Sequence, residues 1–542
     1  MNKKIILCIS IISILLQGCV IITELIPQKP SPSIHPREIL LAENLIDDNN
    51  IGIELLYVDG FNEPHTPPNV KPTEALEKFL METKGNINLN QVGIVRVYNK
   101  TKKADKIQII ITGIYSGAGT NINLAKAIVK RDENIEVWVI ERRSNQLEDR
   151  RKILKAIKEN KPTILLDMVE KDKFVLKKDA FYRPSKEDIS FLAYWGLNTQ
   201  LKDIYNVVNF ARERANEIIL SGYSLGVLYV TNFLGMDFDE TENVLAGYTL
   251  VDKVILYDGP TVLDGYIKTE SQYLTGVYAI PANFIDGKKP LEENRVYPAN
   301  GNGGGDISPF ILSDIKMALA LILPDSLSIE PYKNLPITNL AKFLVEFDDN
   351  YLMFKLFTGS FGRADAKHSG KFGWYDTVKI TGLSENKKYI DWIPRKEGDC
   401  TEFNNYRDYL WAGLNEYCNM AEWYQPTRIL LDFGSIHNND TSKGWQKKYF
   451  NVTQTKNINN KFLCIGLSRG LSSRVENYLK YKNLISSNDF TIIMIDGITH
   501  LDGDTMSDNG TRQIVADITY NWLNNRNIVT EKAKENKKAC HF

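Results

Sequence analysis

Ser224 stands in the run Gly222-Tyr223-Ser224-Leu225-Gly226, directly after the apolar stretch Ile218-Ile219-Leu220 and before a helical stretch over 227–234. A strand that turns sharply into a helix around Gly-x-Ser-x-Gly lifts the serine hydroxyl out of the sheet, and the flanking glycines avoid clashes with neighbouring backbone. The helix then aims the positive end of its dipole at charge developing beside that hydroxyl. This is the setting of a nucleophilic serine, which needs a base and donors for an oxyanion. His500, in Asp496-Gly497-Ile498-Thr499-His500-Leu501-Asp502, follows an apolar run near the end of the chain and is the candidate base. The other five histidines have weaker claims: His35 and His65 lie in proline-rich segments, His368 and His437 in a long middle segment, and His541 in the tail. For the oxyanion, Thr112-Gly113-Ile114-Tyr115-Ser116-Gly117-Ala118-Gly119 follows the apolar run 107–111. The amide of Ile114 would pair there with the amide of Leu225. A dinucleotide loop also follows a strand, but the spacing Gly-x-x-x-Gly-x-Gly is wrong for it.

The acid that would orient the imidazole stays open. Asp258, in Ile255-Leu256-Tyr257-Asp258-Gly259-Pro260, is the first choice, and it reads equally well as a turn residue closing a strand. Asp432, in Arg428-Ile429-Leu430-Leu431-Asp432, is the second. No CxxC pair or His/Cys cluster has zinc-site spacing, so no metal is expected. No cofactor is called for.

These residues need a scaffold, and the hydropathy pattern supplies one. Short β-branched runs at 51–58, 92–98, 106–112, 135–141, 217–221, 252–258, 461–465 and 490–495 read as strands. Several, such as Ile107-Gln108-Ile109-Ile110-Ile111, are almost wholly apolar, as strands covered on both faces are. Between them lie helical stripes; over 201–215, Leu201, Ile204, Val207, Val208 and Ala211 recur at three- and four-residue steps. The alternation implies an α/β fold with a mostly parallel sheet. It stops after Pro260 and resumes near Asn460. The intervening texture differs: a glycine loop at 301–305, helical patterns over 315–323 and 337–347, then a stretch rich in aromatics and asparagine. One domain inserted into another explains this, with core segments at 51–259 and 461–527 and a mainly helical insertion at 260–460. Its aromatics, including Phe354, Phe357, Phe361, Trp374 and Trp411, either line a pocket or form the insertion's own core.

The N-terminus carries a different message. Asn2-Lys3-Lys4 precedes an apolar run too short to span a bilayer, which ends in Leu16-Gln17-Gly18-Cys19. This order resembles a lipoprotein signal over 1–18, with Cys19 as the lipid attachment site. Residues 19–50 then read as a tether and 528–542 as a disordered tail. Export would allow Cys400 and Cys418 to pair in an oxidising envelope, whereas Cys464 sits in a strand and reads as a buried small hydrophobe. Lysine plus arginine (66) nearly cancels aspartate plus glutamate (67) over 542 residues, so no net field would draw nucleic acid.

The serine turn, the glycine-bearing loop and the terminal His-Leu-Asp together resemble the α/β-hydrolase superfamily. Val137-Trp138-Val139-Ile140-Glu141-Arg142-Arg143-Ser144-Asn145, Tyr194-Trp195-Gly196-Leu197 and Tyr257-Asp258-Gly259 resemble a bacterial subgroup of it. The resemblance covers about half of the chain and skips the insertion. It implies hydrolysis through an acyl-enzyme and no particular substrate; a small-molecule carboxylic ester is the expectation because esters are common substrates in the family, and 260–460 would form a cap over the site. Two departures stand out. Members usually have His-Gly at Thr112-Gly113, and the usual site of the acid reads Gly466-Leu467-Ser468-Arg469-Gly470, although some members carry it one strand earlier. A non-catalytic binding module on the same fold, or a peptidase or amidase, is the alternative. Glu141-Arg142-Arg143-Ser144-Asn145 either faces the pocket or forms a surface salt-bridge cluster.

Overall fold

The computed structural model describes residues 32–530, apart from 171–173, 240, 242, 264, 281–282, 300–305, 348–360, 370–378, 395–405 and 506–512. The eight apolar runs each become a strand: β1 (Ile51–Asp59), β2 (Gln91–Asn99), β3 (Lys106–Ile111), β4 (Ile135–Glu141), β5 (Glu217–Tyr223), β6 (Lys253–Tyr257), β7 (Lys461–Arg469) and β8 (Phe490–Thr499). They form one sheet in the order β1-β2-β4-β3-β5-β6-β7-β8. β2 is antiparallel to both neighbours, and every other adjacent pair is parallel. The last two strands outrun their apolar stretches because pairing continues past them, through a register shift, as far as Arg469 with Thr499.

The period of two along each strand divides the sheet's side chains between two cores. Ile107, Ile109 and Ile111 face one way, against Leu201 and Val208 of α2 (Leu197–Arg212) and Val227 and Val230 of α3 (Gly226–Gly235). Ile110, Val137, Val139 and Ile219 face the other way, against Leu124 and Ile128 of α1 (Ile122–Arg131) and Ile518 of α6 (Ile514–Leu523). Each such isoleucine is almost fully buried, worth about 1.5–3 kcal/mol relative to exposure.

The chain between β6 and β7 holds helices, among them Ser308–Ile322 and α4 (Thr427–Ser435), and short strand pairs such as Gly362–Ala364 with Trp392–Pro394. A further apolar cluster joins Ile311, Ile315, Leu340 and Trp423 of this segment to Ile153, Leu165 and Trp195, which lie between β4 and α2. Phe361 belongs to that cluster, with its ring centroid 4.5 Å from that of Tyr409. Trp411 is exposed. Cys464 is buried in β7, and Cys418 is a buried free thiol. Cys19, the signal, the 301–305 loop, Phe354, Phe357, Trp374, Cys400 and the tail from 531 lie outside the described residues. Among the described residues no helix is long and apolar enough to cross a membrane, and no cluster of His, Cys, Asp or Glu could hold a metal.

Candidate active site

Ser224 occupies the turn between β5 and α3 with φ of 58°, a left-handed conformation that costs a non-glycine residue of order 1–3 kcal/mol. The surrounding backbone holds it there. Its N–H donates to the Tyr257 carbonyl (3.1 Å), and its carbonyl accepts from Val227 N–H (3.1 Å). At Gly226 a Cβ would lie 1.9 Å from the Ile111 carbonyl oxygen, so only glycine lets the helix start pass this close to β3.

Gly113 brings the candidate oxyanion loop, residues 112–119, against the serine: a Cβ built there would sit 3.2 Å from Ser224 Oγ. Ile114 is the next residue, and Leu225 directly follows Ser224. Among the described residues, neither of their amides donates to a protein acceptor. Thr112, where a histidine was expected, uses its hydroxyl to close the loop by donating to the Ser116 carbonyl (2.9 Å).

His500 begins the short helix α5 (His500–Thr505), directly after β8. Its Nδ1 lies 2.6 Å from Asp258 Oδ2, and both side chains are buried. The hydroxyl of Tyr223, the residue before the serine, donates to the His500 carbonyl (2.8 Å), tying the histidine to the serine turn. Asp258 follows β6, one residue beyond the carbonyl that holds Ser224. Its Oδ1 accepts from the amides of Leu467 (3.2 Å) and Ser472 (2.9 Å), and its Oδ2 from that of Leu471 (2.9 Å). The Arg469 loop, which lacks the expected acid, thus wraps its backbone around a carboxylate supplied by the neighbouring strand. At Gly470 a Cβ would fall 2.0 Å from Asp258 Oδ2.

Asp432 lies elsewhere and does different work. It accepts from Leu197 N–H at the start of α2 (2.8 Å), from Arg428 Nε (2.7 Å) and from the Tyr273 hydroxyl (2.9 Å). It is a buried helix cap and ion-pair partner.

The stretch after β4 is interior. Arg142 and Arg143 are both buried, so a surface cluster is ruled out at these two positions. Arg143 pairs with Asp203 and donates to Asn90 Oδ1 (3.0 Å). Arg142 reaches the oxyanion loop and pairs there with Glu422 (2.6 Å), a residue of the insertion that no sequence motif marks. Glu141, at the end of β4, accepts from Ala118 N–H (2.5 Å), and burial pushes its carboxyl up to about 7.

The sheet order, the serine turn and the histidine after the last strand make this an α/β-hydrolase fold. Solved structures with detectable likeness include a protein of Sulfolobus solfataricus provisionally classed as a lipase, at 15% identity and a TM-score of 0.44, covering 90% of this chain and 98% of that one. They also include a soluble variant of monoglyceride lipase from Saccharomyces cerevisiae in complex with a substrate analogue, at 8% identity and 0.31, covering 81% and 92%. A third is an epoxide hydrolase from Vigna radiata, at 8% identity and 0.33, covering 80% and 94%. No family model and no curated protein matches the chain.

Proposed function

We propose that the protein is a serine hydrolase that cleaves carboxylic esters through an acyl-enzyme at Ser224. The observation that carries this reading is the 2.6 Å contact of His500 Nδ1 with the buried Asp258 carboxylate, in a chain whose Ser224 sits at a left-handed turn tied to His500 through the Tyr223 hydroxyl. With Nδ1 engaged, the imidazole keeps Nε2 for the proton of the serine hydroxyl. The hydroxyl oxygen attacks the ester carbonyl, and the amides of Ile114 and Leu225 receive the oxyanion. The protonated imidazole gives its proton to the departing alcohol, and water then releases the acyl group by the same route. Asp258 orients the ring and offsets its charge. An ester is preferred to an amide because esters are the commoner substrates of the superfamily that the chain resembles. A fluorophosphonate probe tests the proposal: it should label the wild-type protein and leave Ser224→Ala unlabelled. A wild-type protein that stays unlabelled under conditions that label an ordinary esterase would favour the binding-module alternative.

We also propose that Cys19 carries lipid and anchors the enzyme in the bacterial cell envelope, on the strength of the Leu16-Gln17-Gly18-Cys19 run after a short apolar segment. Metabolic labelling with an alkynyl palmitate should mark the full chain in a bacterial host, and Cys19→Ala should abolish the mark. Equal labelling of both would remove the anchor.

A further inference from the structure

Arg142 spans the oxyanion loop. Its Nη1 donates to Thr112 Oγ1 (3.0 Å) and to the Thr112 carbonyl (3.3 Å). Its Nη2 donates to the carbonyls of Gly113 (2.9 Å) and Ser116 (2.8 Å). The guanidinium therefore holds the backbone on both sides of Ile114. Nε and Nη2 both meet Glu422 Oε2, at 3.0 and 2.6 Å. The other carboxylate oxygen of Glu422 accepts from the Ser144 hydroxyl, and the Glu422 amide donates to the Tyr115 carbonyl (2.9 Å).

Glu422 belongs to a strip of the insertion stitched along the same loop. Gly117 N–H donates to the Met420 carbonyl (2.7 Å), Gly119 N–H to the Asn419 carbonyl (3.0 Å), and Tyr115 N–H to Gln425 Oε1 (2.6 Å). The loop residues flanking Ile114 are thus anchored to Arg142 or to the insertion, and because the C=O and N–H of one trans peptide point opposite ways, the hold on the Gly113 carbonyl turns the Ile114 N–H away from Arg142. Tyr115 is held at φ of 51°, a conformation that a bulky residue keeps only when its surroundings impose it.

We infer that Arg142 and Glu422 are positioning residues that set the direction of the Ile114 amide, so that the insertion governs the oxyanion hole. The inference rests on the reading of Ser224 as nucleophile. Arginine is required because one planar fork must reach three carbonyls, a hydroxyl and a carboxylate together; lysine offers a point charge without that geometry. The pair acts only through the loop: it binds no substrate and takes part in no proton transfer.

The test uses the full chain with a short nitrophenyl ester, a boronic acid as transition-state mimic, and thermal melting. For Arg142→Lys, kcat should fall about 10- to 100-fold, as expected when an oxyanion donor is misdirected. KM should stay within about twofold, since ground-state binding does not use that amide. Boronate affinity should fall in step with kcat/KM. Glu422→Gln should show the same split more weakly, and the double variant should be little worse than Arg142→Lys because the two residues act as one unit. If Arg142→Lys does not fold, Glu422→Gln carries the same measurements. An active wild-type protein whose folded variants keep kcat and boronate affinity would overturn the inference and leave the Ser224 reading intact. Wild-type protein without turnover or fluorophosphonate labelling would instead remove that reading, and the inference with it.

Discussion

Asp258 gathers three backbone amides and one imidazole around a single buried carboxylate. The amide donors fix its orientation, so that Oδ2, which also accepts from Leu471, is held toward Nδ1. Asp258→Asn would turn an NH2 group toward either the amides or the ring, and would misdirect the imidazole. Turnover of a short nitrophenyl ester should drop by about 10²- to 10⁴-fold, the scale of acid loss in other triads. Unchanged turnover would exclude Asp258 from the site. A second prediction concerns pH. Burial raises Glu141 from near 4.5 to about 7, Asp314 to about 7, and Glu148 upward as well. An acid whose folded value is raised contributes stability that is complete below its unfolded value and is lost as pH climbs through the folded one. Lys84, lowered to about 7 chiefly by burial, works in the opposite direction, but three acids oppose one amine. The melting temperature should therefore fall between pH 5 and pH 8, and Glu141→Gln should flatten that slope. An identical slope in the variant would show that Glu141 ionises in the fold as freely as in water.

At the scale of elements, the strand–turn–helix at Ser224 depends on how closely α3 begins above β3. Gly226→Ala would drive a methyl group to 1.9 Å from the Ile111 carbonyl. Stability should fall by about 3 kcal/mol, the upper end of overpacking costs, read as a lower denaturant midpoint with the slope unchanged. A midpoint equal to wild type would mean that the helix start is not pinned. The elements were the most legible part of the chain. The eight strands are legible because short β-branched runs stand out between helical stripes and several are almost wholly apolar, and the serine turn declares itself by glycine spacing. Asp258 could only be nominated, since the amides of Leu467, Leu471 and Ser472 that single it out carry no side-chain signature. Arg142 looked as suited to the surface as to the interior, because its partner Glu422 lies 280 residues away. Asp432 seemed a reserve acid for the same reason: the helix start that it caps is 235 residues distant.

The whole molecule is knitted across its insertion. Ile429, Leu430 and Leu431 of α4, with Phe450 and Val452, pack into the same cluster as the sheet isoleucines, although they fall before β7. The segment between β4 and α2 in turn shares its core with helices from beyond β6. Neither the sheet nor the segment above it closes a core by itself. Replacing residues 261–459 with a short flexible linker should therefore give a chain without a cooperative unfolding transition, by circular dichroism against denaturant. A cooperative transition near the wild-type midpoint would show that the sheet stands alone. Cys418, whose thiol burial pushes up to about 12, offers a milder probe of the same closure. It should resist a maleimide at pH 8 until denaturant opens the fold.

The placing of Asp258 before the insertion and His500 after it also orders events during synthesis. On the proposed mechanism, serine, acid and both oxyanion amides leave the ribosome early, yet 242 residues separate Asp258 from His500. At roughly 5–20 residues per second, that gap lasts about 12–50 s. Throughout it the nascent chain carries a serine turn with no base to activate it. On the proposed mechanism, the hydrolase is born inert and becomes competent only when its last strand docks.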